Sequence, residues 1–363
     1  MLLIIAAAVG IPCILAAVAT LIVRSIARRR GFVDQPGGHK RHAAPVPLGG
    51  GIAITLAVVI PLLAVTLLAA FSKTDPAPDW MPTLMQTHLE GIADRLPRLL
   101  HILAGAIALH ILGLVDDARH LGARPKFLVQ LAVAAVVAIW ADVRLLEFLP
   151  APLSVALSVV WIILITNAFN FLDNADGLSA GVALIAAAIF ATAALLAGQL
   201  FVPLMALVLV GALLGFLPFN FTPASIFMGD AGSMVIGYLL AVLTILTTFY
   251  DPDQNLAPFG VFVPLVVLAV PLYDVISVCY HRIRAGASPF RGDHRHFSHR
   301  LIDKGLSPRA AVGTIYLATA TTAMSALALP RATWPYAVAV AAQCLCVVAI
   351  IAILENTGPT GAE

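Results

Sequence analysis

The sequence predicts an all-α integral membrane protein of about eleven transmembrane helices, forming a single polytopic domain over 1–363. Hydrophobic residues make up 61% of the chain and charged residues 11%, against about 45–50% and about 25% in soluble domains. The mean hydropathy of +0.98 is more apolar surface than one packed core can hide, so lipid is the solvent for most of the chain. The apolar stretches are continuous rather than alternating, which argues for helices over a strand barrel. A soluble enzyme, a disordered chain and a disulfide scaffold are all excluded. The cysteines Cys13, Cys279, Cys344 and Cys346 lie in apolar runs, where they are expected as small packing residues.

A bilayer core of about 30 Å takes about 20 apolar residues per helix. Runs of that kind fall at 1–23, 49–71, 99–115, 127–141, 152–169, 178–198, 200–218, 232–250, 259–280, 311–330 and 335–354. No basic residue precedes the first run, which is therefore expected to be a retained helix and not a signal peptide. Lys and Arg give the expected orientation. The segments after runs 1, 3, 5, 7, 9 and 11 share one side and hold 16 of the 21 basic residues. The other side holds Lys73, Arg95, Arg98, Arg144 and Arg331. The rich side is expected to be cytoplasmic, with the N-terminus outside and the C-terminus inside.

The acids are biased: 15 Asp against 4 Glu. Asp116, Asp117, Asp173, Asp176 and Asp230 all fall at the expected cytoplasmic ends of helices, in three separate loops. Charge at a bilayer boundary is costly without partners, so each is a candidate for function. Asp116-Asp117 is a pair of adjacent, repelling carboxylates that needs a cation or a proton nearby. Asn167-x-x-Asn170-x-x-Asp173-x-x-Asp176-Gly177 supplies oxygens at a helical spacing. Phe227-Met-Gly229-Asp230-Ala-Gly232 sets one carboxylate in permissive backbone. Oxygen ligands without His or Cys beside them favour Mg²⁺ over Zn²⁺.

A fourth segment is basic: His281-Arg-Ile-Arg284, then Arg291-Gly-Asp293-His294-Arg295-His296-Phe-Ser-His299-Arg300, a receiver for phosphate charge. It is expected to lie outside the membrane with little packing dependent on it. Alanine at His296 or His299 should then cut turnover and spare the fold. Lys40-Arg41-His42 before run 2 suits anionic headgroups. His110 and Asp274 are ionisable residues inside runs; His110 is expected to pack between helices, and Asp274 lies one to two turns from the cytoplasmic end of its run.

Taken together in this order, the Asp-Asp pair, the Asn-x-x-Asn-x-x-Asp-x-x-Asp-Gly run, Phe-Met-Gly-Asp and the His segment resemble the polyprenyl-phosphate N-acetylhexosamine-1-phosphate transferase family, over about 30–310. The resemblance implies an integral membrane enzyme using Mg²⁺, with Mn²⁺ as an alternative. Such an enzyme moves a sugar 1-phosphate, here N-acetylglucosamine 1-phosphate in first place, from a UDP-sugar to a polyprenyl phosphate and releases UMP. The segment Asp293-His-Arg-His296-Phe-Ser-His299-Arg300-Leu is similar to the branch that initiates O-antigen, enterobacterial common antigen and teichoic acid linkage units. It departs from that branch in Arg295 and Ser298. The alternative within the family is the cell-wall translocase that uses UDP-MurNAc-pentapeptide, which carries a run of consecutive histidines followed by an acid.

By that resemblance Asp230 is the principal metal ligand and Asn170 the second. Asp116 and Asp117 form the acidic pair beside the lipid phosphate, with Asp173 a further catalytic candidate. Asp176 and Phe227 contact uracil, and Arg295, His296, His299 and Arg300 contact pyrophosphate or sugar. Direct attack by the lipid phosphate and an aspartyl-phosphate intermediate both stay open, with direct attack favoured. No nucleic-acid partner is expected, and a homodimer is compatible with the family. A transporter is the rival class. It fits less well because transporter charges cluster near the midplane and not at one face.

Overall fold

The computed structural model describes residues 2–35, 44–71, 91–250, 256–286 and 296–356. It is 81% helical. The helices are α1 (Leu2–Arg30), α2 (Gly50–Phe71), α3 (Leu96–Arg119), α4 (Ala123–Trp140), α5 (Ala151–Leu172), α6 (Leu178–Leu196), α7 (Phe201–Asn220) and α8 (Asp230–Leu246). Then come a 3₁₀ turn (Pro258–Phe262), α9 (Val263–Val267), α10 (Ala269–Arg284), α11 (Phe297–Asp303), α12 (Pro308–Ala326), a second 3₁₀ turn (Leu329–Arg331) and α13 (Trp334–Asn356). Two short strands, β1 (Val33–Asp34) and β2 (Val46–Pro47), pair antiparallel, Val33 opposite Pro47.

Each apolar run holds a helix, but two depart from a simple span. Among the described residues nine helices are long and apolar enough to cross a bilayer, or ten if the bent pair is one span. That pair is Pro258–Val267 with Ala269–Arg284, bent by 61°. Pro271 explains the break: it has no N–H for the Val267 carbonyl four residues back, and its ring crowds that carbonyl. The other departure is α8, at 17 residues. At 1.5 Å per residue it reaches only about 25 Å, short of the hydrocarbon core of about 30 Å.

Helix α8 is also the centre of the molecule. Every residue from Ala231 to Thr244 is buried, and α3, α5, α2 and α6 all pack along it. Close approach needs residues without side chains. A Cβ on Gly113 of α3 would stand 2.3 Å from the Ala231 backbone, and one on Gly51 of α2 would stand 2.3 Å from the Gly232 nitrogen. His110 of α3 packs here as expected, its Nδ1 3.0 Å from the Ala231 carbonyl and 3.2 Å from Thr55 Oγ1. Around this centre α1 lies along α7, and α1 and α13 turn broad apolar faces outward.

The packing makes a direct prediction. Gly113→Val should force α3 away from α8 and cost about 1–3 kcal/mol, as overpacking does. The thermal midpoint in detergent should fall accordingly; a midpoint equal to wild type would show that the two helices do not meet at this glycine.

Candidate active site

The start of α8 carries Asp230, and three neighbours define its surroundings. The first turn of a helix leaves backbone N–H groups without partners. Here Asp117, at the end of α3, accepts them: Oδ1 takes the Asp230 N–H at 2.9 Å and Oδ2 the Ala231 N–H at 3.3 Å. Gly229 makes the fit feasible, at φ +72° and with Asp117 Oδ2 only 2.4 Å from where a Cβ would sit. Asp116 points to another partner. Its Oδ1 accepts the Leu121 N–H at 2.6 Å, and its Oδ2 lies 2.8 Å from Lys126 Nζ. The same ammonium lies 3.1 Å from Asp230 Oδ2, so Lys126 bridges two loops' carboxylates. Asn170, at the end of α5, donates through Nδ2 to Asp230 Oδ1 at 2.9 Å and to Ser233 Oγ at 3.0 Å.

Asp116, Asp117, Asn170 and Asp230 are therefore gathered at one end of the bundle. Asp173, in the turn after α5, is close enough to feel the rest. Its carboxyl is pushed well above the usual carboxylate range, first by burial and then by the charges of Asp230, Asp117 and Asp176. That excess of negative charge fits a cation beyond Lys126, and the oxygen-only donors fit a hard one such as Mg²⁺. Among the described residues no three His, Cys, Asp or Glu side chains already stand as a ligand group. The ammonium of Lys126 holds the space between Asp116 and Asp230.

Asp176 and Phe227 flank this cluster. Asp176 Oδ2 accepts the Ala224 N–H at 2.9 Å, which ties the loop after α5 to the loop before α8. Gly177 turns at φ +74°, with its carbonyl taken by Tyr316 Oη at 2.5 Å. The Phe227 backbone is pinned from the other side: its N–H donates to the Pro47 carbonyl at 2.8 Å, and its carbonyl accepts the Gly50 N–H at 2.9 Å. The chain entering α2 thus shapes the Phe227–Gly229 turn. Lys40–His42, read as headgroup contacts, lie outside the described residues.

The basic segment is placed in part. Arg295, with the rest of 287–295, lies outside the described residues. His296, His299 and Arg300 are held far more firmly than a solvated loop would be. His296 is 6% exposed and His299 9%. His296 Nδ1 lies 2.9 Å from Asp274 Oδ2, and the Phe297 N–H donates to Asp274 Oδ1 at 3.1 Å. Arg300 donates to Glu355 at the end of α13 through both Nε, at 3.0 Å, and a terminal nitrogen, at 2.7 Å, and to Ser277 Oγ at 2.8 Å. The Ser298 hydroxyl donates to Asn174 Oδ1. Phe171, next to Asn170, meets the His296 ring edge-on at 6.0 Å and carries the Arg282 guanidinium on its face at 5.3 Å. The expectation that little packing depends on this segment does not hold. His296 and Arg300 find partners in the spanning helices, because a buried imidazole or guanidinium without them would be costly.

Sequence reasoning gave no role to Lys126 or Glu355 and noted Asp274 without a partner; Arg282 was read only as part of the basic segment, not as a packing partner of Phe171. Lys126 stood beside the acidic pair in the chain and could have been paired with it. Nothing local in the sequence brings Glu355 to Arg300.

Two predictions follow from the geometry. Asp117→Ala leaves two backbone donors at a part-buried helix start without their acceptor and should lower stability by about 1 kcal/mol, read as a lower thermal midpoint. An unchanged midpoint would remove Asp117 from that role. His296→Ala and His299→Ala should lower the midpoint as well as any activity, and fully wild-type midpoints in both would mean that the segment is not docked.

The model of Glycosyl transferase family 4 matches residues 99–248, which covers the acidic pair, the Asn/Asp run and Asp230. The chain is 33% identical over 324 residues to a probable undecaprenyl-phosphate N-acetylglucosaminyl 1-phosphate transferase of Bacillus subtilis, covering 86% of this chain and 82% of the relative. It is 34% identical to a decaprenyl-phosphate N-acetylglucosaminephosphotransferase of Mycobacterium tuberculosis, covering 82% and 76%. It is 26% identical to the undecaprenyl-phosphate alpha-N-acetylglucosaminyl 1-phosphate transferase of Escherichia coli, again covering 82% and 76%. The chain belongs to glycosyl transferase family 4, the polyprenyl-phosphate N-acetylhexosamine-1-phosphate transferases.

Proposed function

We propose that this protein transfers N-acetylglucosamine 1-phosphate from its UDP-sugar to a polyprenyl phosphate such as undecaprenyl phosphate, releasing UMP. This would be the first membrane step of a cell-envelope polysaccharide. The observation that carries the reading is the convergence of Asp116, Asp117, Asn170 and Asp230 with Lys126 at one end of the bundle. The relatives' shared N-acetylglucosaminyl phosphate chemistry supports the sugar.

Two anions must meet in this reaction. Asp230 and Asn170 would hold Mg²⁺, or Mn²⁺ in its place, which when bound neutralises pyrophosphate charge and the UMP leaving group. Lys126 sits where it can offset the lipid phosphate or the acids around it. Asp117 keeps Asp230 in place through the α8 backbone. Asp116 would stand toward the acceptor phosphate, with Asp173 a further acid of the cluster. A phosphate monoester is already mostly ionised near pH 7, its second pKa being about 6, so its own oxygen can attack the β-phosphorus without a covalent enzyme intermediate. Asp176 and Phe227 border the side where uracil would lie. His296, His299 and Arg300, with Arg295, are the groups for pyrophosphate and sugar.

The site is proposed to face the cytoplasm at the inner (plasma) membrane, with the N-terminus outside, on the 16-to-5 division of Lys and Arg. Cysteines replacing Ala118 and Glu147, both exposed, should label from opposite sides of intact cells and inverted vesicles. Labelling from one side would overturn the orientation.

The reaction is tested by UMP release in detergent, with polyprenyl phosphate, Mg²⁺ and a panel of UDP-sugars. UDP-N-acetylglucosamine should be turned over fastest. Asp230→Asn should lose about a hundredfold or more in turnover and bind Mg²⁺ more weakly, since it removes a charged ligand. No UMP from any donor would defeat the proposal, and a wild-type Mg²⁺ response in Asp230→Asn would take that residue out of the metal site.

A further inference from the structure

We infer that Asp274 is a positioning residue for the transfer, fixing the His296 imidazole through Nδ1; this rests on the reaction proposed above. Asp274 is 0% exposed and sits in α10, one of the two arms of the bent span. A carboxyl in such a place is expensive unless its oxygens are satisfied. Both are: Oδ2 faces His296 Nδ1 at 2.9 Å and Oδ1 accepts the Phe297 N–H at 3.1 Å. A carboxylate has no proton to give, so the ring proton resides on Nδ1 and Nε2 is left as the nitrogen for chemistry. The rest of the ring is boxed in by Phe171 at 6.0 Å and His299 at 6.4 Å. Phe171 is the chain neighbour of Asn170, whose amide meets Asp230. The ring is thus oriented with respect to the acid cluster through one continuous set of contacts.

A simple tie that docks the segment is the competing explanation. Docking is already supplied by Arg300 on Glu355 and by Ser298 on Asn174. The bond to the ring nitrogen adds something that those do not: a defined tautomer. Asparagine separates the two roles. Its oxygen can still accept from Phe297, while its amide N–H meets Nδ1 and drives the ring proton to Nε2.

The test uses the full chain in detergent with ¹⁵N-labelled histidine, the His296 signal being identified by its loss in His296→Gln. The wild type should show His296 carrying its proton on Nδ1, and Asp274→Asn should move that resonance. In UMP-release kinetics Asp274→Asn should lower kcat about tenfold to a hundredfold, with a smaller change in KM for the donor and a near wild-type thermal midpoint. In the His296→Gln background the same change should cost nothing further. An equal loss in both backgrounds, or a His296 resonance that Asp274→Asn leaves in place, overturns the inference. Should Asp274→Asn fail to fold, a wild-type His296 protonated on Nε2 alone overturns it without any variant at Asp274. A wild type silent with every donor defeats the reaction instead, and the spectrum still decides whether Asp274 holds the ring.

Discussion

The start of helix α8 is the constraint on which the rest depends. The first turn of a helix leaves backbone donors without partners, and lipid cannot supply them. Asp117 satisfies two of them, which requires α3 to end beside α8. That approach is open because Gly113 has no side chain against the Ala231 backbone and Gly229 none against the Asp117 carboxyl, while Gly51 lets α2 approach α8 in the same way. Asp230 is the first residue of the helix so held. The position of the candidate metal ligand therefore follows from a hydrogen-bonding requirement and three glycines, and the contacts of its carboxyl with Lys126 and Asn170 then orient it.

The short reach of α8 adds to this. Its neighbours α3 and α5 have 24 and 22 residues against its 17, so its ends cannot both stand level with theirs. The acidic cluster forms where the ends of α3 and α5 frame the start of the shorter helix. Charge gathered in such a place must be balanced locally, and Lys126 supplies one positive charge from the first turn of α4. The Asp173 carboxyl is pushed up, first by burial and then by the charges of Asp230, Asp117 and Asp176. A divalent cation would offset that negative charge.

Much of this was legible in the chain. Continuous apolar runs located the helices, and the three acid-bearing loops marked one end of the bundle, because buried charge is rare enough to be informative by type alone. Two things were not legible. Composition counts residues but does not see that Pro271 breaks the ninth run or that the eighth is too short. Pairings far apart in sequence leave no local trace. Asp274 with His296 spans 22 positions and Arg300 with Glu355 spans 55, so the basic segment read as one on which little packing depends, whereas His296 and Arg300 are docked.

That docking changes what the segment can do. A mobile cationic loop attracts any anion, but each new contact costs the entropy of ordering long side chains. Here His296 and Arg300 are ordered before any ligand arrives, one by Asp274 of α10 and the other by Glu355 of α13. Each basic group is thus backed by an acid from a spanning helix, and the acids are in turn kept in place by the packing of those helices. Phe171 and Asn174 join the same segment to the loop that carries Asn170 and Asp173. The acidic and basic halves of the site are therefore set relative to each other by the bundle itself, which is the arrangement that favours transition-state charge over loose binding of substrate.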